Sequence, residues 1–391
     1  MKKHLSILAF CFSVTACVYP YTPELDEAPE GILAVDANIT IGEVSTVRLG
    51  GLYSLYPTEN SRYPDFSDAK VWLEDDAGGT YRGYSADGSG NSAYGTYIDA
   101  SMPVFSIDTE NIPGDRRYRL CIEALGATYT SDWSDLGEPP VITDIQFLAD
   151  DEFVTVGVSL EGGPDATGYA LLSFDETWRF HVDYIPQYTV TPMGDSFLIE
   201  ETGPDQSKFW CWRSQENQRS YPVDYTSMTG AGVTNWPLHK FPRTDSRNHR
   251  RYSVNVKAKT ISKSTYRFLK NLEDLSSGGD NLFTPTPGEI VGNLHCESDP
   301  DRMVLGYVLF SKSVTRRGWL DSRYLVTRPN SYTLIWPLPD MYRMYYDFGY
   351  TVLDYMETPE EGQGQYGWGP RQCYDCTAAG GTLTRPDFWE D

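Results

Sequence analysis

Cysteine placement is where this sequence comes nearest to chemistry. Val14-Thr15-Ala16-Cys17 follows a basic start (Met1, Lys2, Lys3) and an apolar run from Leu5 to Val14. That order describes a secretory signal with its cleavage point before a cysteine. The run is too short to cross a bilayer. The small Thr15 and Ala16 let a peptidase reach the bond, and Cys17 becomes the lipidated first residue of a bacterial lipoprotein. A second pair, Cys373-Tyr374-Asp375-Cys376, has the spacing of half a zinc site or of a redox couple. A structural zinc would need a second ligand pair at similar spacing, which the sequence does not offer. A thioredoxin-type motif should open a helix, whereas this pair lies in a Gly-rich tail. A disulfide between Cys373 and Cys376 is therefore the expectation. Apart from Cys11 and Cys17 there are Cys121, Cys211, Cys296, Cys373 and Cys376. In an oxidising compartment these allow up to two disulfides and leave one thiol, with connectivity open.

Catalytic constellations are not apparent. Zinc-protease and phosphate-loop motifs are missing. Gly83-Tyr84-Ser85-Ala86-Asp87 approaches a nucleophile elbow but lacks its last glycine and sits between sheet turns, so Ser85 reads as a hairpin residue. The histidines after Cys17 are His181, His239, His249 and His295, none paired with another four residues away. His249 lies in the basic stretch Arg243 to Arg251, read as a solvated loop or a contact for an acidic partner, and His295 reads as a strand residue near the core. Asp75-Asp76 and Asp299-Pro300-Asp301 offer calcium-type oxygens but read more simply as polar turns. The aromatic stretch Tyr342 to Tyr350, with Tyr366 and Trp368, could stack on sugar rings or line a protein interface. Tyr345, Tyr346, Tyr350 and Trp368 are its candidate ligand or partner contacts. No catalytic residue, metal site or cofactor is assigned.

The elements that must position these residues are mainly strands. The 28 Tyr outnumber Phe and Trp together, and 34 Gly with 25 Pro favour short strands and many turns. Net charge is −23, and −25 once residues 1–16 and their two lysines are removed. Such a chain is repelled by nucleic acid and anionic headgroups, so membrane contact should come from acyl chains. Residues 1–16 form the signal, and 17–30 a Pro-rich acidic tether. Residues 31–137 read as an immunoglobulin-like β-sandwich with turn signals every 8–12 residues. They include the strand Lys70 to Glu74, the turn Asp75 to Gly79 and the turn Asp87 to Gly90. Glu138-Pro139-Pro140 is the linker, and 138–391 a larger β-rich domain. Tyr252 to Ala258 alternates as a half-buried strand. One helix is predicted from about Lys263 to Leu275, capped by Ser262 and ended at Ser276-Ser277-Gly278-Gly279.

Several stations together resemble a family of Bacteroidota lipoproteins described as a domain of unknown function, DUF4249. They are Cys211-Trp212-Arg213; Tyr266 with Phe268-Leu269; Gly278-Gly279; Leu282-Phe283; Gly292-Asn293-Leu294; and Leu305-Gly306-Tyr307. The tail Cys373 to Thr382, closing on Arg385-Pro386-Asp387-Phe388-Trp389, adds to them. The resemblance implies an outer-membrane or cell-surface lipoprotein that works with a TonB-dependent transporter or related envelope complex, without enzymatic activity. It supplies no catalytic residues. Two other functions fit the residues: an independent surface binder of glycans or peptides, from the Tyr and Trp enrichment, and a hydrolase, from carboxylate abundance alone.

Overall fold

The structure, a computed structural model, describes residues 32–51, 65–85, 103–134, 136–194, 196–226, 232–277, 292–321, 332–357 and 364–390. The signal, Cys17, the tether and the Asp87–Gly90 turn lie outside these residues, as do the Gly278-Gly279 and Leu282-Phe283 stations.

The first strands are β1 (Leu33–Thr40), β2 (Val44–Gly51), β3 (Lys70–Asp75), β4 (Thr80–Arg82), β5 (Tyr84–Ser85), β6 (Val104–Asp108), β7 (Tyr118–Ala124) and β8 (Ala127–Ser131). Period-2 alternation decides their faces: Leu33, Val35, Ala37 and Ile39 are buried while Asp36 and Asn38 face out. Burying each large aliphatic side chain in this way contributes about 1.5–3 kcal/mol. Asp75 closes the β3–β4 turn by accepting from the backbone N–H groups of Ala77 and Gly79 and from Tyr81 and Arg116. Burial alone would raise its pKa, but those donors outweigh it and hold the carboxyl at about 2. It is a filled turn.

The second run comprises β9 (Val141–Ala149), β10 (Phe153–Glu161), β11 (Tyr169–His181), β12 (Tyr188–Met193), β13 (Ser196–Glu201), β14 (Trp210–Glu216), β15 (Tyr221–Asp224), β16 (Gly232–Pro242) and β17 (Arg251–Thr260). Then come α1 (Lys263–Ser277), β18 (Leu294–Cys296), β19 (Val304–Ser311) and β20 (Ser313–Asp321). Last are α2 (Tyr342–Asp347), β21 (Thr351–Met356) and β22 (Gln365–Gly369). The expected helix is α1, and Ser262 Oγ caps it by accepting from Thr265 N at 3.1 Å.

Two sheets of order β19-β1-β2-β6-β5 and β18-β8-β7-β3-β4 face each other over one apolar core. The expected boundary at 137/138 is therefore corrected: the first sandwich also takes β18 and β19, which follow the second run. β19 pairs parallel with β1, Leu33 opposite Val304 through Thr40 opposite Ser311. Alternation marks both as strands but does not say that they are neighbours. Gly306 makes the approach feasible. Its φ is +116°, and a Cβ there would collide with the Val35 carbonyl.

The remaining β-rich part is a second sandwich plus a small module. Sheet β16-β10-β9 packs on sheet β14-β11-β17-β20, with β15 also pairing β11. The module joins hairpin β12–β13 to hairpin β21–β22 and α2 around a core of Tyr342, Val352 and Trp368. The sandwiches meet at Tyr169, Leu171, Ile261 and Leu309, with Tyr266 and Leu269 of α1 laid over them. Beside that contact, Lys257 pairs with Glu43, and Lys259 donates to Asn38 at 3.1 Å.

Candidate functional site

The aromatic stretch folds into the small module, and its residues divide. Trp368 is fully buried at 0% exposure, so its expected role as a surface contact is corrected: β22 turns it into the module core beneath Tyr342 and Phe197. Tyr345, Tyr346 and Tyr350 are half-buried against the same core, Tyr346 within 5.2 Å of Phe197 and Tyr345 within 5.5 Å of Tyr350. The side chains facing outward from this turn include aliphatic, thioether and phenyl groups beside the charged Asp340, Arg343 and Asp347. Leu338, Met341, Met344 and Phe348 are exposed, Phe348 at 71%, and recur every three or four residues. A 3₁₀ turn (Pro339–Met341) runs into α2, so Met341 and Met344 stand three residues apart along it. Extended Leu338 and the C-terminal Phe348 flank them, making one exposed apolar stripe. Carboxylates Asp340 and Asp347 border it, and Arg343 is engaged by Asp347 at 3.2 Å. Two thioethers and a phenyl ring are thus left facing water by a folded module. Their three- and four-residue spacing is written in the sequence, interleaved with the tyrosines.

A second concave region flanks α1. One lobe, of about 460 Å³, lies between α1, the loop after β8 and the start of β18. Its lining includes Asp132, Trp133, Arg267, Phe268, Asn271 and Tyr307. Phe268 stacks on Tyr307 at 4.2 Å. The Asn293 side chain bonds both backbone groups of Val308, at 2.7 and 2.9 Å. His295 does not turn into the core as expected: it is exposed and pairs with Asp132 at 3.0 Å.

The densest titratable cluster is sealed inside the second sandwich. Glu176 takes Arg247, and also Tyr252 Oη at 2.9 Å, while His239 Nε2 lies 3.6 Å away. Burial is the largest influence on His239 and lowers its pKa, against the attraction of Glu176. Burial also carries the Tyr252 phenol well above its ordinary range. The basic stretch is thus corrected from a solvated loop to a plug: Arg247 enters the sandwich end, and Asn248 is buried with its amide on the Pro242 and Arg243 carbonyls. Among the described residues no three His, Cys, Asp or Glu side chains form a metal-ligand group.

The expected Cys373–Cys376 disulfide is also corrected. Cys376 is bonded to Cys211, 165 residues away, and Cys373 keeps a buried thiol that donates to the Pro370 carbonyl at 2.8 Å. Burial pushes that thiol up to about 12, which suppresses the thiolate and its reactivity. The bond explains two of the sequence stations at once. Cys211-Trp212-Arg213 on β14 receives the tail: Trp212 exchanges backbone hydrogen bonds with Thr382, and Arg213 donates to the Ala379 and Gly380 carbonyls. Trp389 then lodges near Trp212 and Trp319, at 6.5 and 5.1 Å. The Gly292-Asn293-Leu294 and Leu305-Gly306-Tyr307 stations hold β18 and β19 in the first sandwich. Ser85, expected as a hairpin residue, lies in β5 and pairs with Phe105 of β6. Residues 18–317 match a family profile described as Domain of unknown function (DUF4249), a span that ends before the tail. No curated protein matches the chain.

Proposed function

The chain belongs to the DUF4249 family, and from that premise we propose that it is a non-enzymatic, lipid-anchored outer-membrane protein that docks onto a TonB-dependent transporter or related envelope complex. The exposed stripe Leu338, Met341, Met344 and Phe348 carries this reading. A partner with an apolar hollow bordered by Lys or Arg complements the stripe and its Asp340 and Asp347 rim. The same carboxylates, on a chain of net charge −23, disfavour an anionic lipid surface as the occupant. In this reading attachment to the membrane is by acyl chains on Cys17, supported by the Val14-Thr15-Ala16-Cys17 box behind its apolar run. Among the described residues no helix is long and apolar enough to cross a membrane. Acyl chains add about 0.8 kcal/mol per buried methylene, enough for firm anchoring when several are present.

The test is affinity purification of the tagged full-length protein from detergent-solubilised outer membranes, with mass spectrometry of what co-elutes. A stoichiometric envelope transporter is expected, and it should be lost from the Met344→Ser/Phe348→Ser variant at unchanged thermal stability. A protein that elutes alone, or a double variant that keeps its transporter, refutes the docking role.

A further inference from the structure

We propose that the lobe between α1 and the first sandwich binds a short neutral saccharide. This does not rest on the docking reading, because the lobe and the stripe share no residue. The groups turned toward the lobe decide the ligand class. Arg267 and Asn271 stand exposed on α1, and among the described residues neither side chain makes a hydrogen bond. Asp132, across from them, gives one oxygen to His295 and is itself exposed. A guanidinium only donates, a carboxylate only accepts, and an amide does both. Opposite charges in one space of about 460 Å³ penalise a ligand of either net charge. Ring hydroxyls both donate and accept, so one sugar can serve all three groups without carrying charge.

Trp133 supplies the remaining requirement. Its ring is held by the Arg117 and Arg119 guanidinium groups, 5.9 and 5.0 Å from the centroid, yet stays 38% exposed and lines the lobe. An indole offers an apolar face and one N–H, which suits the C–H face and the hydroxyl rim of a pyranose. The floor is fixed beforehand by the Phe268–Tyr307 stack and the doubly bonded Asn293, so little ordering has to accompany binding. The volume falls within the range of about 300–1,000 Å³ typical of small-ligand sites.

Saturation-transfer NMR tests this on the full-length protein, held in a zwitterionic detergent without sugar headgroups. The probes are glucose, galactose, N-acetylglucosamine and the β-linked disaccharides of each, with a tetra-alanine peptide as the competing class. Transfer to the ring protons of at least one saccharide is expected. Trp133→Ala should weaken that binding about ten-fold, equivalent to ~1.4 kcal/mol. Asn271→Ala and Arg267→Ala, both on an exposed helix face, should weaken it several-fold with an unchanged melting temperature. Absence of transfer to every saccharide at millimolar concentration overturns the proposal. So does transfer that survives undiminished in the two helix variants, or transfer to the peptide and not to the sugars.

Discussion

The two sandwiches are closed by different means. The first has an apolar core and recruits β19 by backbone pairing, through a glycine at the point of contact, and by burying Val308 and Phe310. The second encloses Glu176 and Arg247, and its outer sheet is tied to the C-terminal tail by a disulfide, an arginine clamp and stacked indoles. Closure by pairing depends on local shape, because an added methyl group has nowhere to go. Closure by charge and sulfur depends on surroundings, because pH and redox state act on it directly. One chain thus contains a part whose integrity is steric and a part whose integrity is conditional.

The largest effect should come from Arg247→Ala. It leaves Glu176 buried without its cation and should cost about 3–5 kcal/mol in urea unfolding. Glu176→Leu combined with Arg247→Met should recover most of that loss, since both ends of the pair are removed together. An unperturbed Arg247→Ala variant would erase the distinction between the sandwiches. Next, Gly306→Ala should destabilise the first sandwich by about 3 kcal/mol, from positive-φ strain and the collision with Val35. Calorimetry reads this as a lowered transition, and an unchanged one would mean that β19 pairs less tightly than described.

Cys376→Ser should cost about 2–4 kcal/mol and expose the segment after Pro370 to limited proteolysis, as should reduction of the wild type. Cys373→Ser should leave the disulfide and the protease pattern intact. The smallest effect is the pH response. His239 has a folded-state pKa below its ordinary 6.5, so the unfolded chain binds the proton more readily. Stability of the second sandwich should therefore begin to fall as pH drops below 6.5. Asp75, held at about 2 from an ordinary 3.8, contributes stability above 3.8 that is lost only as pH falls toward 2. Hydrogen exchange across pH 7 to 3 should show β16 and β17 loosening before the β3–β4 turn does, and the reverse order would contradict the burial of His239.

What the sequence revealed was local. The alternation in β17, the Asp75 turn and the Ser262 cap are all set by neighbours within a few residues, and all fold as expected. What it hid was long-range. Nothing in the Cys373-x-x-Cys376 spacing points to Cys211, because the bond depends on the tail lying back across β14. Nor does the alternation of Val304 to Ser311 name Leu33 to Thr40 as its partner. Trp368 differs from its expected place for a related reason: aromatic content marks a cluster, but only the turn of α2 and the direction of β22 decide which side faces water. The family stations fared better as architecture than as chemistry, marking the places where distant segments are fastened.

The return of β19 has a consequence for how the protein is made. Synthesis delivers Leu33 far ahead of Val304, and every strand of the second sandwich except β20 is strung between them. Until Ser311 has emerged, the nascent first sandwich presents β1 as an open edge, with backbone donors and acceptors that any passing strand could claim. Its completion is therefore the last act of assembly for the first part of the chain to appear. A premature stop anywhere before residue 304 would cost the protein its beginning as well as its end.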